Sequence, residues 1–177
     1  MPAVAVSRTS VPANQVEMFS FGRGMASDYD ARLTLYPVFG QDPVALFYDP
    51  SMQHTFYMED TGANGDYEFE NNVYYQSIEL MDANGNAVGS PGDAASSDVF
   101  AKVTRRNGWV YNFKVAPTAM EGGEFVSQLT SIVSPQGESI NLSYMSFTQA
   151  QINASPARQL QLDAVTDGYG NLSLIHI

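Results

Sequence analysis

The feature that most constrains the fold is a strand–turn–strand unit that recurs along the chain. Its clearest copy is LTSIVSPQGESINLSY at Leu129–Tyr144. Leu129–Val133 is an apolar-rich run, and Ile140–Tyr144 alternates apolar with polar side chains, the pattern of a half-buried strand. Between them, Ser134–Gly137 (SPQG) has the residues of a type I turn followed by a glycine at positive φ. The stretch is therefore predicted to be a β-hairpin.

The same turn is predicted five times, with its fourth residue at Met52, Gly85, Gly108, Gly137 and Gly170. Alignment on that residue brings Val103, Ile132 and Val165 to one position, so the four glycines are interpreted as turn-defining. Equivalent side chains then share a face, which a slip of one residue would reverse. Because an isolated hairpin is marginally stable in water, the hairpins are expected to stack edge to edge and share a core. The predicted fold is all-β: successive antiparallel β-hairpins forming a curved, repeat-type sheet.

Composition limits the function classes. The chain has 177 residues, enough for about one domain, and its aromatic fraction of 12% favours strands. Its formal net charge of −11 argues against nucleic-acid binding, which needs a basic surface. The absence of cysteine excludes disulfides, thiolate catalysis and zinc sites built on cysteine. The first ten residues lack the pattern of a signal peptide, and no run is apolar enough to predict membrane insertion.

Several stretches resemble the tandem units of the Rhs/YD-repeat family. LTSIVSPQGESINLSY, LDAVTDGYGN and AKVTRRNGWVYNF are similar to one form of the unit, and MDANGNAV and YDPSMQHTF to the other. The resemblance is good over about residues 99–171 and weaker over about 44–98. The chain departs from the family pattern at Met52, which replaces the turn glycine, at Met81, which stands where tyrosine is usual, and at Met145, which follows Tyr144 in place of aspartate.

The resemblance implies a large bacterial polypeptide that is secreted, attached to the cell surface or used for toxin delivery. In that family the strands wind into a β-spiral or shell, so this chain is expected to be a fragment whose main partner is the remainder of its own polypeptide. The chain is divided into a lead-in or linker (1–30), a degenerate hairpin region (31–98) and Rhs/YD-like hairpins (99–171). Residues 172–177, LSLIHI, resemble translated sequencing-adapter sequence and are expected to be an artefact, with a natural strand of alternating Leu and Ile as the alternative.

An aromatic strand is the first candidate binding site. Trp109, Tyr111 and Phe113 occupy alternate positions and therefore one face of a predicted strand. Aromatic faces stack on sugars and peptides, so this face is a candidate contact for surface glycans or proteins. The same spacing is also that of side chains packed in a core, and core packing is the preferred interpretation.

Candidate chemistry is otherwise sparse. Asp60, Asn64 and Asp66 form a candidate calcium loop because calcium binds oxygen ligands, although the spacing is not that of an EF-hand. A solvated acidic loop is the alternative reading, and no other cofactor is expected. Glu121, Glu124 and Glu138 are the carboxylates available for glycoside hydrolysis, which requires two of them close in space.

The preferred function is a non-catalytic structural β-repeat segment of a larger exported polypeptide. A carbohydrate- or protein-binding β-domain is the first alternative, and a glycosidase-like fragment is the second. His54 follows a turn on an aromatic-rich strand and is interpreted as structural or as a surface residue. The chain is therefore not expected to be an enzyme.

Overall fold

The computed structural model confirms an all-β protein built around an antiparallel sheet. It describes residues 8–10, 18–19, 22–23, 25–27, 29–36, 44–50, 52, 54–60, 66–68, 74–88, 98–115 and 124–174. Within these residues the chain forms fifteen strands, one short α-helix and one 3₁₀ helix.

Four short strands precede the main sheet: β1 (Arg8–Ser10), β2 (Met18–Phe19), β3 (Gly22–Arg23) and β4 (Met25–Ser27). β1 pairs with β4 and β2 pairs with β3, so parts of the region interpreted as a lead-in are strands. The main sheet contains β5 (Arg32–Tyr36), β6 (Val44–Asp49), β7 (His54–Asp60), β8 (Asp66–Glu68), β9 (Tyr75–Met81), β10 (Phe100–Arg105), β11 (Val110–Val115), β12 (Phe125–Val133), β13 (Ser139–Tyr144), β14 (Leu162–Asp167) and β15 (Leu172–Leu174).

Strands β5 to β12 form a strongly curled sheet in which each strand pairs with the next along the chain. The curl brings β12 back to β5, where Phe125 lies opposite Leu35 and Val126 opposite Thr34. The pairings of these eight strands therefore run in a ring. The stack of hairpins expected from the repeats is present, but its curvature turns the first strand towards the last.

The sheet continues past the ring because β12 is long. Ser131–Val133 pairs with β13, which pairs in turn with β14, and β14 pairs with β15. At the junction, the Tyr144 hydroxyl donates a hydrogen bond to the Leu129 carbonyl oxygen at 3.1 Å. β15 contains three of the residues interpreted as adapter sequence.

The core lies on the concave side of the curl. On β5, β6, β10 and β11 buried residues alternate with partly exposed ones, as expected for strands with one face inward. Phe47 and Phe113 are fully buried and meet edge to face with ring centroids 6.1 Å apart. The equivalent positions predicted from the turns are also inside: Val103, Ile132 and Val165 are all buried.

A short helical region follows β13. Helix α1 (Gln149–Ala154) begins at Thr148, whose side chain forms a capping box with Gln151. The 3₁₀ helix (Pro156–Leu160) follows it. Gln128 of β12 donates to the Gln159 carbonyl oxygen at 2.5 Å, which fastens the helical region to the sheet.

Candidate functional site: the turn end of the sheet

Four tight turns lie at one end of the sheet, which we call the turn end. They are the β6–β7, β10–β11, β12–β13 and β14–β15 turns, and they begin at Asp49, Arg105, Ser134 and Asp167. In each, the backbone N–H of the fourth residue donates to the carbonyl oxygen of the first. At the opposite end, β11 ends at Val115 and β12 begins at Phe125. The turn end is therefore the most regularly built part of the surface that the structure describes.

The four turn-defining glycines adopt the backbone that their turn chemistry predicts. Gly85, Gly108, Gly137 and Gly170 have φ values of 82°, 88°, 86° and 83°. Residues with a side chain rarely adopt this left-handed conformation, so glycine is the residue that fits the fourth position. The turns of Gly108, Gly137 and Gly170 lie at the turn end. The turn of Gly85 follows β9 and therefore lies at the opposite end of the sheet.

Adjacent turns touch one another. A Cβ on Gly108 would lie 3.2 Å from the Pro135 side chain, and a Cβ on Gly168 would lie 3.2 Å from Ser139 Oγ. Both distances are tighter than ordinary van der Waals contact. The β10–β11, β12–β13 and β14–β15 turns therefore pack side by side, and glycine at these contacts permits the close approach.

Two turns close with a carboxylate. Asp82 accepts hydrogen bonds from the backbone N–H of Asn84 at 2.8 Å and of Asn86 at 2.9 Å, and the Asn86 side-chain amide donates to it at 2.9 Å. Asp167 repeats the arrangement with Tyr169 and Asn171. The side-chain hydrogen bond from the asparagine is the largest cause lowering the pKa of each aspartate, followed by backbone N–H donors. These carboxylates stabilise their own turns.

The charged first residues of two other turns bind each other. Asp49 ends β6 and is 2% exposed, and Arg105 ends β10 with its side chain 18% exposed. Arg105 Nη2 donates to Asp49 Oδ2, which forms an ion pair between two turns on opposite sides of the core. The guanidinium also lies over the ring of Tyr111, 5.5 Å from its centroid. Asp49 and Arg105 therefore form a largely buried ion pair.

The chemistry available to this cluster is limited. Burial is the largest cause raising the pKa of Tyr111, and Asp49 raises it further while Arg105 opposes both. Tyr111 therefore keeps its proton at neutral pH, and Arg105 remains charged. A protonated phenol and a carboxylate that is held in an ion pair supply neither a nucleophile nor a general base. The cluster is suited to holding two turns together.

The candidate aromatic face is a core face. Tyr111 and Phe113 are buried, and Phe47 contacts both rings edge to face. Trp109 is partly buried against the same core. Burial therefore favours the core interpretation of Trp109, Tyr111 and Phe113, because two of the three rings have almost no exposed surface.

The register gives no support to the candidate calcium loop. Asp60 ends β7 opposite Tyr67, whereas Asp66 begins β8 opposite Glu79. Asp60 and Asp66 are therefore not cross-strand partners. Asn64 lies outside the described residues. Within the described part of the chain, no group of three acidic, histidine or cysteine residues is arranged to hold a metal ion.

The candidate carboxylates for glycoside hydrolysis are separated by a strand. Glu124 precedes β12 and Glu138 follows it, so they lie about 30 Å apart at a rise of ~3.3 Å per residue. A glycosidase pair needs a separation of about 5–10 Å. Glu121 lies outside the described residues. His54 is exposed, and its ring meets Phe56 edge to face at 4.8 Å, as expected for a surface or structural residue.

Sequence reasoning missed the Asp49–Arg105 pair. One signal was present, since both residues occupy the first turn position, where Asp82 and Asp167 close their own turns. Arginine is unable to accept those hydrogen bonds, and the Arg105 guanidinium donates to the carboxylate of another turn instead. The partner is 56 residues away, and only the curl of the sheet brings the two together.

Comparisons of the chain with protein-family models, curated proteins and solved structures found no match. Among the residues that the structure describes, no helix is long and apolar enough to cross a membrane.

Proposed function

We propose that the chain is a non-catalytic structural segment of a larger, exported or surface-attached polypeptide of the Rhs/YD-repeat kind. Its role is to form part of a wall or scaffold of stacked β-hairpins. The remainder of the same polypeptide is its main partner, and any enzymatic or toxic activity resides elsewhere in that polypeptide.

The observation that carries the proposal is the packing of consecutive turns. Gly108 approaches Pro135, and Gly168 approaches Ser139, so each hairpin offers the next a closely fitting neighbour. The strands behind these turns form one hydrogen-bonded sheet from β10 to β15. Because the same packing recurs from one hairpin to the next, a further hairpin fits against the sheet in the same way. Repeat proteins gain stability from such contacts between neighbouring units.

The charged first residues of the tight turns support the same interpretation. Asp82 and Asp167 are bound within their turns, and Asp49 is bound to Arg105. Each carboxylate therefore takes part in a hydrogen bond or ion pair that stabilises the turns. Catalytic carboxylates instead need access to a substrate and a pKa suited to proton transfer.

The proposal is tested by extending the chain with the hairpins that follow it in its gene. Added hairpins are expected to raise the melting temperature, because stacking buries the edge of β15. A matched control carries a Gly/Ser linker of the same length, which is expected to leave the melting temperature unchanged. Equal melting temperatures for the two extensions would contradict the stacking role.

Binding and export need separate tests. Glycan arrays are expected to show no binding, and polysaccharide hydrolysis assays are expected to show no activity. Glycan binding that Trp109→Ala abolishes in a folded protein would contradict the structural role. Protease treatment of intact producing cells is expected to remove the polypeptide. Protection equal to that of a cytoplasmic marker would contradict export.

A further inference from the structure

Two Asn-Gly pairs occupy the same place in two turns of the same kind. Asn84-Gly85 and Asn107-Gly108 are the third and fourth turn residues in each case. The glycine φ values are 82° and 88°, and each glycine N–H donates to the carbonyl of the first turn residue at 3.0 Å. The two pairs therefore share a backbone, and only their surroundings differ.

Asn-Gly is the sequence at which asparagine deamidates most readily, because glycine leaves the reacting nitrogen unhindered. The backbone nitrogen of Gly attacks the side-chain carbonyl carbon of Asn and loses its proton, and ammonia leaves. The product is a succinimide ring. Water then opens the ring at either carbonyl, which gives aspartate or isoaspartate. The reaction requires the turn to open, because the glycine N–H is hydrogen-bonded and the asparagine must change its ψ angle.

The turn at Gly108 is held by contacts with residues outside the turn. Pro135 of the neighbouring turn lies against it, 3.2 Å from where a Cβ would stand. On its other side, the Arg106 N–H donates to the Tyr74 carbonyl oxygen at 2.9 Å. The Asn107 side-chain oxygen accepts from the Trp109 N–H at 3.3 Å. Opening this turn therefore breaks contacts with two other parts of the sheet.

The turn at Gly85 is held by its own residues. No atom of the described residues outside the chain neighbours lies within 4 Å of where a Gly85 Cβ would stand, and the turn residues 83–87 are exposed. The bonds that close it run from Asn84, Gly85 and Asn86 to Asp82. Opening this turn therefore leaves the packing of the sheet intact, and segments of this kind open at lower free energy.

We propose that Asn84 is a site of spontaneous deamidation and that the packed turn protects Asn107. The modification adds a carboxylate next to Asp82. Isoaspartate also inserts a carbon into the backbone, which is incompatible with the hydrogen bond from Gly85 to Asp82. The turn after β9 is thereby converted to an irregular, more negative loop, while the turn end keeps its form.

The test is incubation of the whole chain at mildly alkaline pH, followed by peptide mapping that separates asparagine, aspartate and isoaspartate. Residue 84 is expected to convert roughly tenfold faster than residue 107, a ratio that corresponds to about 1.4 kcal/mol of opening free energy. Equal rates, or faster conversion at residue 107, would overturn the proposal.

Two variants separate turn opening from a difference in intrinsic reactivity. Asp82→Ala removes the carboxylate that closes the turn and is expected to accelerate conversion at residue 84 several-fold, with residue 107 unchanged. Pro135→Ala loosens the packing on Gly108 and is expected to accelerate residue 107 alone. In each variant the unaffected asparagine reports that the sheet remains folded. If neither variant changes the rate at its own turn, turn opening does not control the reaction, and the proposal fails.

Discussion

Asp49 and Arg105 are 56 residues apart in the sequence and form a buried ion pair that joins two turns of the curled sheet. Each is the first residue of its turn. Aspartate at the corresponding place in the turns that begin at residues 82 and 167 binds its own turn instead. The same position in the repeat therefore serves two purposes: it closes a turn locally, or it connects two distant turns.

Removing one partner of this pair is expected to be costly. Asp49→Asn leaves the Arg105 charge without its carboxylate, and breaking a buried pair in this way costs about 3–5 kcal/mol. Because Arg105 is 18% exposed and water reaches it, we expect the low end of that range. Urea denaturation of the variant and the parent chain measures the difference.

Two controls show whether the cost comes from the unpaired charge. The double variant Asp49→Leu with Arg105→Met is expected to recover most of the lost stability, because it leaves no unpaired charge. Lys102→Met removes the partner of Glu79 at a half-exposed pair and is expected to cost less than about 1 kcal/mol. A loss in the double variant as large as in Asp49→Asn would contradict this explanation.

The parts of the fold that are local in sequence were predictable. The hairpins depend on turn residues and alternation, and the positions predicted to be equivalent are paired equivalently: Val103 lies opposite Tyr111, and Ile132 lies opposite Ile140. One local feature was missed. The pairing of β11 with β12 shifts near Thr130, whose hydroxyl donates to the Asn112 carbonyl oxygen at 3.0 Å, so simple alternation breaks within β12.

The non-local features were not predictable from pattern. The pairing of Val126 with Thr34 depends on the accumulated curvature of seven intervening pairings, which no single stretch encodes. The partner of Arg105 depends on the same curvature. For the aromatic strand, alternation gave the correct face but could not distinguish a core from a binding surface. The burial of Tyr111 and Phe113 resolves that choice.

The turn glycines offer a comparison between strain alone and strain with crowding. Gly137→Ala places a side chain at φ 86° with no atom of the described residues within 4 Å, so we expect a loss of about 1–2 kcal/mol from the backbone alone. Gly108→Ala adds a contact at 3.2 Å to Pro135, so we expect a further loss of about 1 kcal/mol or more. Urea denaturation of both variants measures the two losses. Equal losses would mean that the turn containing Pro135 moves to admit the added methyl group without a cost in stability.

The turn carboxylates predict how stability changes in acid. The folded-state pKa values of Asp82 and Asp167 are lowered from 3.8, so their contribution is present above that value and is lost as the pH falls below it. Asp167→Asn removes one ionisable group and is expected to make the urea midpoint less dependent on pH below about pH 4. Asp163→Asn, at an exposed position of β14 outside the turn, is the matched control. An equal effect at Asp163 would indicate a response to net charge alone.

The junction between the ring and β13 predicts how stability changes in alkali. The Tyr144 hydroxyl donates to the Leu129 carbonyl oxygen, so Tyr144→Phe leaves that oxygen without this donor and is expected to cost about 1–2 kcal/mol at neutral pH.

Burial is the main cause raising the pKa of Tyr144 above 10.0, and Asp30 raises it further. The unfolded chain therefore releases this proton first, so the stabilisation is present below about pH 10 and is lost as the pH rises above it. The urea midpoint of Tyr144→Phe is expected to fall less steeply above pH 10 than that of the parent. Tyr169→Phe, at a highly exposed turn position, should reproduce the parent's slope, and a parent-like slope for Tyr144→Phe as well would mean that the phenol is solvated in the folded protein.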